Sequence, residues 1–230
     1  MEHTAERPLR VAILISGRGS NMQALVQAVA AESLPVDICT VLSNRADAAG
    51  IAWARDQGLQ TAVLEHRDFP SRDAFDAALL AQLDALSPDY ILLAGFMRVL
   101  GTQFVRHFGD RIINIHPSLL PAFTGLHTHQ QALAQGVQWH GCTVHFITPV
   151  LDQGPIIAQG AIPVERDDTP DTLAARLLPV EHQVFVQTLR WLAQGRVLLQ
   201  DDGRVQVIGA SHRAWAGTSL IQSQEPHEQA

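Results

Sequence analysis

Two polar side chains at the end of a predicted β-strand could carry out acid–base chemistry. Asn114 and His116 lie two residues apart in Ile112–His116, so both side chains point to the same face of the strand. A histidine that is followed by Pro117 and a loop can take up and release a proton near neutral pH. An asparagine amide beside it can donate an N–H to an oxygen that gains negative charge. The pair favours catalysis over the simpler interpretation, a histidine that only caps the strand.

A third candidate, Asp152, begins a predicted turn that continues to Pro155. An aspartate in this position usually hydrogen-bonds to its own backbone, and the local sequence favours that structural role. The functional alternative is a carboxylate that holds His116 in one tautomer and raises the pKa of its ring. The local sequence leaves both interpretations open.

The segment Ser16–Asn21 is rich in glycine, follows the predicted strand Val11–Ile15 and opens the predicted helix Asn21–Ala30. Backbone N–H groups at the start of a helix form an anion site, and phosphate is its usual occupant. The third glycine of the dinucleotide fingerprint is missing. A tight turn without a ligand is the alternative, but a loop after the first strand favours phosphate. Arg18 either adds a phosphate contact or lies in solvent.

The basic residues of the chain are all arginines, 16 against 23 acidic residues, which gives a net charge of −7. Without lysine, the chain cannot form a Walker phosphate loop, a pyridoxal Schiff base or a Schiff-base aldolase site. The acidic balance and the absence of a basic run argue against a nucleic-acid partner.

Histidines cluster at His127, His129, His140 and His145, and this raises the question of a metal. Their spacing matches no standard zinc set, so we expect no metal and interpret them as orienting or substrate-contacting groups. Ser118 follows His116 closely, but no Gly-x-Ser-x-Gly elbow surrounds it, and a serine hydrolase is disfavoured.

Cys39 and Cys142 lie in apolar, strand-like runs. We interpret both as buried thiols of a cytoplasmic protein rather than as a secreted disulfide framework. The longest apolar run, around Ile91–Met97, is far shorter than the ~20 residues of a membrane span, and Met1–Arg10 lacks the apolar core of a signal peptide. We therefore expect no membrane association.

Short apolar strands alternate with amphipathic helices through the first half of the chain, a pattern typical of an α/β fold with a mostly parallel sheet and helices on both faces. The predicted strands are Val11–Ile15, Ile38–Leu42, Thr61–Leu64, Tyr90–Leu93 and Ile112–His116. The predicted helices are Asn21–Ala30, Ala48–Gln57, Arg72–Leu86, which Ser71 caps, and Thr102–Phe108.

The pattern changes after Pro117, where an aperiodic loop leads into a part with antiparallel strands and a long helix. The predicted elements are helix Gln130–Gln135, strands Trp139–Ile147 and Ile156–Ile162, helix Thr169–Gln194 and a terminal hairpin of Val197–Leu199 with Val205–Ile208. Pro179 predicts a kink or break in the long helix. We expect a frayed segment 1–9, one domain 10–209 with a phosphate-binding half 10–116 and a second half 117–209, and a polar tail 210–230.

Several of these motifs together resemble the folate-dependent formyltransferase superfamily. The segments that carry this resemblance are Asn114–Pro121, Ala94–Arg98 and Leu151–Pro155. Two others, Gly17–Asn21 and Gly125–His129, resemble the phosphoribosylglycinamide formyltransferase family within it. The similarity runs from about Arg10 to Val197, and the motifs follow the family's order. It implies a Rossmann-like formyltransferase fold in which 10–116 is the half that binds the nucleotide phosphate and 117–209 is the folate-binding, closing half.

The resemblance also implies a reaction. The amine of 5-phosphoribosylglycinamide (glycinamide ribonucleotide) would attack the formyl carbon of the co-substrate 10-formyltetrahydrofolate, a step of de novo purine biosynthesis. Asn114 would stabilise the oxyanion, His116 would transfer protons, and Asp152 would raise the pKa of His116. The expected partners are these small molecules, and homodimer formation is left open.

The resemblance assigns binding roles to further residues. Gly19, Ser20 and Asn21 would bind the phosphate of the ribonucleotide, and Glu181 would contact its glycinamide side. Besides Asn114 and Asp152, the residues implied for folate are Arg72, Met97, Arg98, Val99, Leu100, Thr148, Pro149, Val150 and Leu151.

Three other functions are alternatives to this one. A formyltetrahydrofolate deformylase hydrolyses the same donor, but it normally carries an N-terminal regulatory domain, and here the first predicted strand starts close to Met1. A non-catalytic nucleotide-binding module would not need Asn114, His116 and Asp152. Methionyl-tRNA formyltransferase is disfavoured because it has a further C-terminal domain and a basic surface.

Overall fold

The computed structural model describes residues 7–217. Expectations for residues 1–6 and 218–230 lie outside this range. The strands are β1 (Leu9–Ile15), β2 (Val36–Ser43), β3 (Thr61–Val63), β4 (Tyr90–Leu93), β5 (Ile112–His116), β6 (Trp139–Phe146), β7 (Ile156–Pro163), β8 (Val197–Leu199), β9 (Val205–Val207) and β10 (Ala214–Ala216). The helices are α1 (Ser20–Ala31), α2 (Ala49–Asp56), α3 (Arg72–Leu86), α4 (Thr102–Phe108), α5 (Thr128–Gln135) and α6 (Pro170–Ala193).

Eight strands form one sheet in the order β10-β7-β6-β5-β4-β1-β2-β3. The pairs from β3 to β5 are parallel, whereas β6 runs antiparallel to both of its neighbours. This arrangement confirms the predicted mostly parallel sheet. The strand order reverses direction between β1 and β4, and such a reversal opens a crevice at the carboxyl ends of the strands.

Helices cover both faces of the sheet, as the alternation along β1 requires. Val11 and Ile13 belong to a core that α1 and α6 complete, whereas Ala12 and Leu14 belong to a core with side chains of α3 and α4. Because successive residues of a strand point to opposite faces, a strand buried on both sides is apolar throughout. Cys39 and Cys142 are buried free thiols, as predicted.

Helix α3 has the predicted bounds and the predicted cap. The Ser71 hydroxyl accepts a hydrogen bond from the backbone N–H of Ala74 at 3.1 Å. Phe75, Leu79 and Leu83 repeat at helical spacing and are fully buried. This packing fixes the start of α3, where Arg72 lies.

Helix α6 continues through Pro179, so of the two outcomes expected there, a kink or a break, the break is absent. Proline has no backbone N–H, so the carbonyl of Ala175, four residues earlier, loses its hydrogen bond within the helix. Both residues are exposed, so water can bond to that carbonyl, while the buried face of α6 holds the helix together. Among the described residues, no helix is long and apolar enough to cross a membrane.

The C-terminal segment contains the predicted hairpin and one strand that was not predicted. Strands β8 and β9 pair as an antiparallel sheet of their own. Strand β10 lies inside the segment interpreted as a polar tail, and it pairs in parallel with β7 at the sheet edge. Trp215 stacks on Trp191 of α6, with ring centroids 5.8 Å apart, which fixes a strand of only three residues.

Candidate active site

The fold brings His116, at the end of β5, next to Asp152, in the turn between β6 and β7. His116 Nδ1 lies 3.7 Å from Asp152 Oδ2, and the two residues are 5% and 8% exposed. This distance is longer than a direct hydrogen bond. Asp152 Oδ2 also accepts a hydrogen bond from the backbone N–H of Gly125 at 2.8 Å. The carboxylate of Asp152 therefore bonds to the loop that follows β5 rather than to its own turn, and it lies near the ring of His116.

The other ring nitrogen of His116 contacts the loop that follows β5. His116 Nε2 lies 2.9 Å from the carbonyl oxygen of Phe123. Because a carbonyl oxygen only accepts, Nε2 must carry the proton in this contact. Nδ1 is left facing the carboxylate of Asp152.

Asn114 is oriented by a histidine on the neighbouring strand. Asn114 Nδ2 lies 3.3 Å from His145 Nε2, and the two residues are paired in the β5–β6 register. His145 Nδ1 lies 2.9 Å from the carbonyl oxygen of Phe146 and must donate to it. Burial is the main cause that lowers the pKa of His145 to about 4. At neutral pH, His145 Nε2 therefore accepts one N–H of Asn114, and the second N–H remains available to an oxyanion.

A second site lies in the Gly19 loop, residues 16–21, which joins β1 to α1. Gly19 has φ +68°, and α1 begins at the next residue, so the first N–H groups of α1 lack carbonyl partners within the helix. A Cβ at Gly19 would lie 3.0 Å from Met22 Cε. Glycine is thus required both by the left-handed backbone and by the close packing.

The Gly19 loop meets Glu181 of α6, although the two are far apart in sequence. Asn21 Nδ2 donates to Glu181 Oε2 at 2.8 Å, and both residues are buried. Burial raises the pKa of Glu181, whereas the hydrogen bond from Asn21 opposes that shift. Asn21 Oδ1 is buried and has no partner among the described residues. The pair offers polar atoms to a ligand held by the loop.

The segment Met97–Leu100 follows β4 and borders the same crevice. The backbone N–H of Met97 donates to the Ser16 hydroxyl at 2.7 Å, which ties the segment to the Gly19 loop. Met97 and Val99 are 70% and 56% exposed, which is unusual for large apolar side chains next to a sheet. An exposed apolar edge here suits the flat ring of a ligand.

Asp76 of α3 holds the end of this segment and was not among the predicted residues. Asp76 Oδ2 accepts from the backbone N–H of Gly101 at 2.7 Å and lies 3.9 Å from Arg72 Nε. Burial is the main cause that raises the pKa of Asp76, and the Gly101 N–H, Arg72 and Arg98 oppose it. One carboxylate thus links Arg72 to the segment Met97–Leu100.

The predicted folate-binding residues Thr148, Pro149, Val150 and Leu151 form the turn that leads to Asp152. Val150 and Leu151 are exposed apolar residues, and Asp152 has a positive φ of 52°. A side chain at Gly154 would collide with the carbonyl oxygen of Phe146, so only glycine lets the turn fold back this closely. This close return brings Asp152 to His116.

Two further histidines of the predicted cluster, His129 and His140, form a pair. His129 Nδ1 lies 3.0 Å from His140 Nε2, so one ring donates to the other. Burial is the main cause that lowers the pKa of both residues, that of His140 to about 4. Among residues 7–217, no group of three or more His, Cys, Asp or Glu is arranged to hold a metal ion.

Sequence reasoning named Asn114, His116 and Asp152 and gave His145 an orienting or substrate-contacting role, but it missed Phe123 and Asp76 and did not pair His145 with Asn114. Phe123 acts through its backbone, which carries no signal in the side-chain pattern. Asp76 looks like an ordinary polar residue of a helix. His145 alternates with buried residues on β6, but its partner is defined only by the β5–β6 register.

The sequence of the chain is similar to that of known proteins. A protein-family model described as formyl transferase matches residues 9–189. The phosphoribosylglycinamide formyltransferase of Escherichia coli (strain K12) is 43% identical over 194 residues, which covers 84% of this chain and 92% of that protein. The trifunctional purine biosynthetic protein adenosine-3 of Bos taurus is 45% identical over 196 residues, 85% of this chain. The chain spans only 19% of that longer relative.

Solved structures are similar to the chain in both fold and sequence. Glycinamide ribonucleotide transformylase 1 from Symbiobacterium toebii has a TM-score of 0.84 and 42% identity, and the match covers 89% of this chain and 96% of that one. A formyltetrahydrofolate deformylase from Pseudomonas syringae pv. tomato str. DC3000 has a TM-score of 0.81 but 27% identity. That match covers 88% of this chain and 66% of the deformylase. The two similarities differ in sequence identity more than in fold.

Proposed function

The chain belongs to the formyl transferase family, and from this premise we propose that it transfers the formyl group of 10-formyltetrahydrofolate to the amine of 5-phosphoribosylglycinamide. The products would be formylglycinamide ribonucleotide and tetrahydrofolate, in a step of de novo purine biosynthesis. The observation that carries the proposal is the approach of Asp152 to His116, which shares β5 with Asn114, at the same edge of the sheet as the Gly19 loop, two strands away. A proton-transfer site and an anion site adjoin the same crevice.

In the proposed reaction, the amine nitrogen attacks the formyl carbon and the carbonyl oxygen becomes an oxyanion. The second N–H of Asn114, which His145 leaves available, donates to that oxyanion. The bond between the formyl carbon and N10 of the folate then breaks. His116 moves the proton that the amine loses and that N10 gains. Asp152 and the Phe123 carbonyl stabilise the charged ring during the transfer.

The two substrates would occupy opposite sides of this cluster. The phosphate of the ribonucleotide would accept N–H bonds from Gly19, Ser20 and Asn21, which replaces the cation that a lysine supplies in other phosphate loops. Glu181 would accept from the glycinamide side.

The pterin ring of the folate would contact the exposed edge of Met97–Leu100 and the turn Thr148–Asp152. Arg72 would face the more polar end of the same molecule. Asn114 and Asp152 border both substrates, so they contact the folate as well as the reacting amine.

The cellular setting follows from the same proposal. A step of purine biosynthesis uses small, charged metabolites, and we place the protein in the cytoplasm with those metabolites as its partners. We assign it neither a nucleic-acid partner nor a resident metal, because the proposed chemistry needs only proton transfer and an oxyanion donor.

The direct test supplies 5-phosphoribosylglycinamide and 10-formyltetrahydrofolate and follows tetrahydrofolate by absorbance. Release should depend on the ribonucleotide and yield one formylated ribonucleotide for each tetrahydrofolate. Asp152→Asn should abolish most of the turnover. The exposed His107 of α4, which contacts Asp84, provides a matched control as His107→Asn.

Hydrolysis of the folate donor is the second candidate, because the deformylase from Pseudomonas syringae shares the fold. The same assay separates the two functions. Tetrahydrofolate that appears equally fast without the ribonucleotide, together with free formate, would overturn the transferase proposal.

A further inference from the structure

A row of three polar side chains runs across β5, β6 and β7 beside the proposed active site. In the strand register, His116 of β5 lies opposite Thr143 of β6, and Thr143 lies opposite Gln159 of β7. Directly opposed residues of antiparallel strands point to the same face of the sheet. Thr143 is fully buried and Gln159 is half-buried. The proposed reaction gives neither of these two residues a role, although they share a face with the proton-transfer group.

The hydroxyl of Thr143 uses its whole hydrogen-bonding capacity in this row and the loop beside it. It accepts from Nε2 of Gln159 at 2.9 Å and from the backbone N–H of Leu120 at 3.0 Å. Its own proton goes to the carbonyl oxygen of Ser118 at 2.7 Å. Because a hydroxyl has one proton and two lone pairs, the two N–H donors determine the direction of this third bond.

Gln159 forms a second bond to the loop that follows β5. Its Nε2 also donates to the carbonyl oxygen of Leu120 at 3.1 Å. Because a carbonyl oxygen only accepts, this contact identifies the amide nitrogen, and its two N–H groups go to Thr143 and Leu120. Side chains of β6 and β7 thus hold both the N–H and the carbonyl of Leu120.

The residues held in this way lead into the turn that presents the Phe123 carbonyl to His116. The Ser118 hydroxyl donates to the carbonyl oxygen of Ala122 at 2.6 Å, and the backbone N–H of Ala122 donates to the carbonyl oxygen of Leu119 at 3.0 Å. Phe123 comes next with a positive φ of 55°, and its carbonyl oxygen lies 2.9 Å from His116 Nε2. The direction of that carbonyl therefore depends on the position of the turn.

The position of this loop also decides which nitrogen of the neutral His116 ring carries the proton. Two acceptors compete for that proton: the Phe123 carbonyl at Nε2 and the Asp152 carboxylate, 3.7 Å from Nδ1. A carboxylate is the stronger acceptor of the two. The loop opposes it in two ways, because it places Phe123 and because its Gly125 N–H donates to Asp152 at 2.8 Å. A displaced loop would release both constraints and favour a proton on Nδ1.

We propose that Gln159 is a positioning residue for formyl transfer, which keeps the proton of the neutral His116 ring on Nε2 by holding the loop that follows β5. The inference rests on the proposed function, which gives His116 the role of moving protons. Gln159 acts through Thr143 and Leu120 rather than on the substrates. With Nε2 protonated, Nδ1 is the nitrogen left to take up a proton during the transfer.

Nitrogen-15 NMR of the full chain tests the proposal directly, because the two ring nitrogens of a histidine report which of them carries the proton. His116→Asn identifies the signals of His116 by the pair that it removes. On the alkaline plateau of the titration, the wild type should show the Nε2–H form. Gln159→Met keeps the length of the side chain but removes both N–H groups, and it should shift the ring toward the Nδ1–H form.

Kinetics gives the second readout. Gln159→Met should lower kcat by about tenfold, as for the loss of roughly one neutral hydrogen bond, and should leave both KM values within about threefold. Thr143→Val removes the hydroxyl of the same network and should have the same effect, whereas Thr143→Ser keeps it and should retain the activity. The double variant should lose no more than either single variant. Ile162→Val, at a fully buried residue on the opposite face of β7, destabilises the strand without touching the network and should keep wild-type kcat.

Two outcomes would overturn the proposal. An unchanged His116 tautomer in Gln159→Met, with or without a loss of kcat, would limit Gln159 to supporting the fold. Additive losses in the double variant would mean that Gln159 and Thr143 act separately. A failure of the proposed function is distinguishable from both, because it would appear as absent formyl transfer in the wild type, whereas the tautomer is measured without substrates.

Discussion

The Gly19 loop and the cluster around His116 serve the same proposed reaction but are built in different ways. The loop offers backbone N–H groups of consecutive residues at the start of α1. The cluster consists of side chains from β5, β6 and the turn before β7, which approach each other only in the folded sheet. A backbone site depends on local conformation, whereas a side-chain cluster depends on register and burial.

This difference predicts how each site fails. A change in the Gly19 loop alters the shape of the binding surface and so affects the affinity for one substrate. A change in the cluster removes a group that moves a proton or stabilises charge and so affects the rate of the chemical step.

The largest effect is expected for the proton-transfer group. His116→Ala should lower kcat by roughly 10²–10⁴-fold, because a positioned general acid or base contributes about this much. The KM values for the two substrates should change far less. Steady-state kinetics measures both. His107→Ala, at an exposed histidine of α4, should retain wild-type turnover. A kcat within twofold of wild type for His116→Ala would return His116 to a structural role.

The second prediction concerns the Gly19 loop. Gly19→Val forces a β-branched residue into φ +68° and brings its Cβ to 3.0 Å from Met22 Cε. The KM for the ribonucleotide should rise by roughly 10²-fold, the loss of two or three hydrogen bonds to a charged group. Folate binding should stay nearly intact. Gly58→Val is the control, since Gly58 also has a positive φ of 75° but lies away from the site. Equal loss for both substrates would indicate damage to the fold.

The sequence revealed more of the Gly19 loop than of the cluster around His116. The reason is that the loop depends on local conformation and the cluster on strand register. The Gly19 loop is contiguous, so its glycines, the preceding strand and the helix start were visible together. Asn114 and His116 were visible because they share one strand. Three contacts became visible only in the tertiary structure: the pairing of Asn114 with His145, the bond that His116 donates to the Phe123 carbonyl, and the bond that the Gly101 N–H donates to Asp76.

The strands and helices were predicted correctly where burial produces a hydrophobic pattern in the sequence. The apolar strands and the period of α3 depend on local burial, and their bounds agree within about two residues. Strand β10 has three residues and is stabilised by pairing with β7 and by the stack of Trp215 on Trp191. Neither contact leaves a periodic signal. Helix α6 is not broken at Pro179, because the packing of its buried face outweighs the loss of one backbone hydrogen bond.

The third prediction tests whether His145 orients Asn114. His145→Leu removes the acceptor and should lower kcat by about tenfold, the worth of one neutral hydrogen bond. The KM values should remain within threefold. His145→Gln keeps an acceptor and should recover most of the activity. Cys142→Ala changes another fully buried side chain of β6 and controls for strand stability. If His145→Leu and Cys142→Ala lose the same activity, His145 has only a packing role.

The fourth prediction uses pH to separate the two regions by the sign of their effect on stability. Burial lowers the pKa of His145 to about 4, against about 6.5 in an unfolded chain. Between these values the unfolded state binds more protons, so the stability that neutral His145 contributes is lost as pH falls from about 6.5 to about 4. Burial raises the pKa of Glu181 beside the Gly19 loop. That carboxyl acts with the opposite sign, because its charged form is the costly one and stability is lost as pH rises.

Urea unfolding at about pH 7.5 and about pH 5 measures both contributions. His145 should contribute roughly 1–2 kcal/mol to the difference in the free energy of unfolding. His145→Gln should therefore make stability less sensitive to acid. Glu181→Gln should make it more sensitive, because the opposing contribution is removed. His212→Gln, at an exposed histidine, should leave the difference unchanged. If both buried variants shift the difference in the same direction, His145 and Glu181 do not affect the pH dependence of stability with opposite signs. The two regions would then differ only in that one is built from backbone groups and the other from side chains.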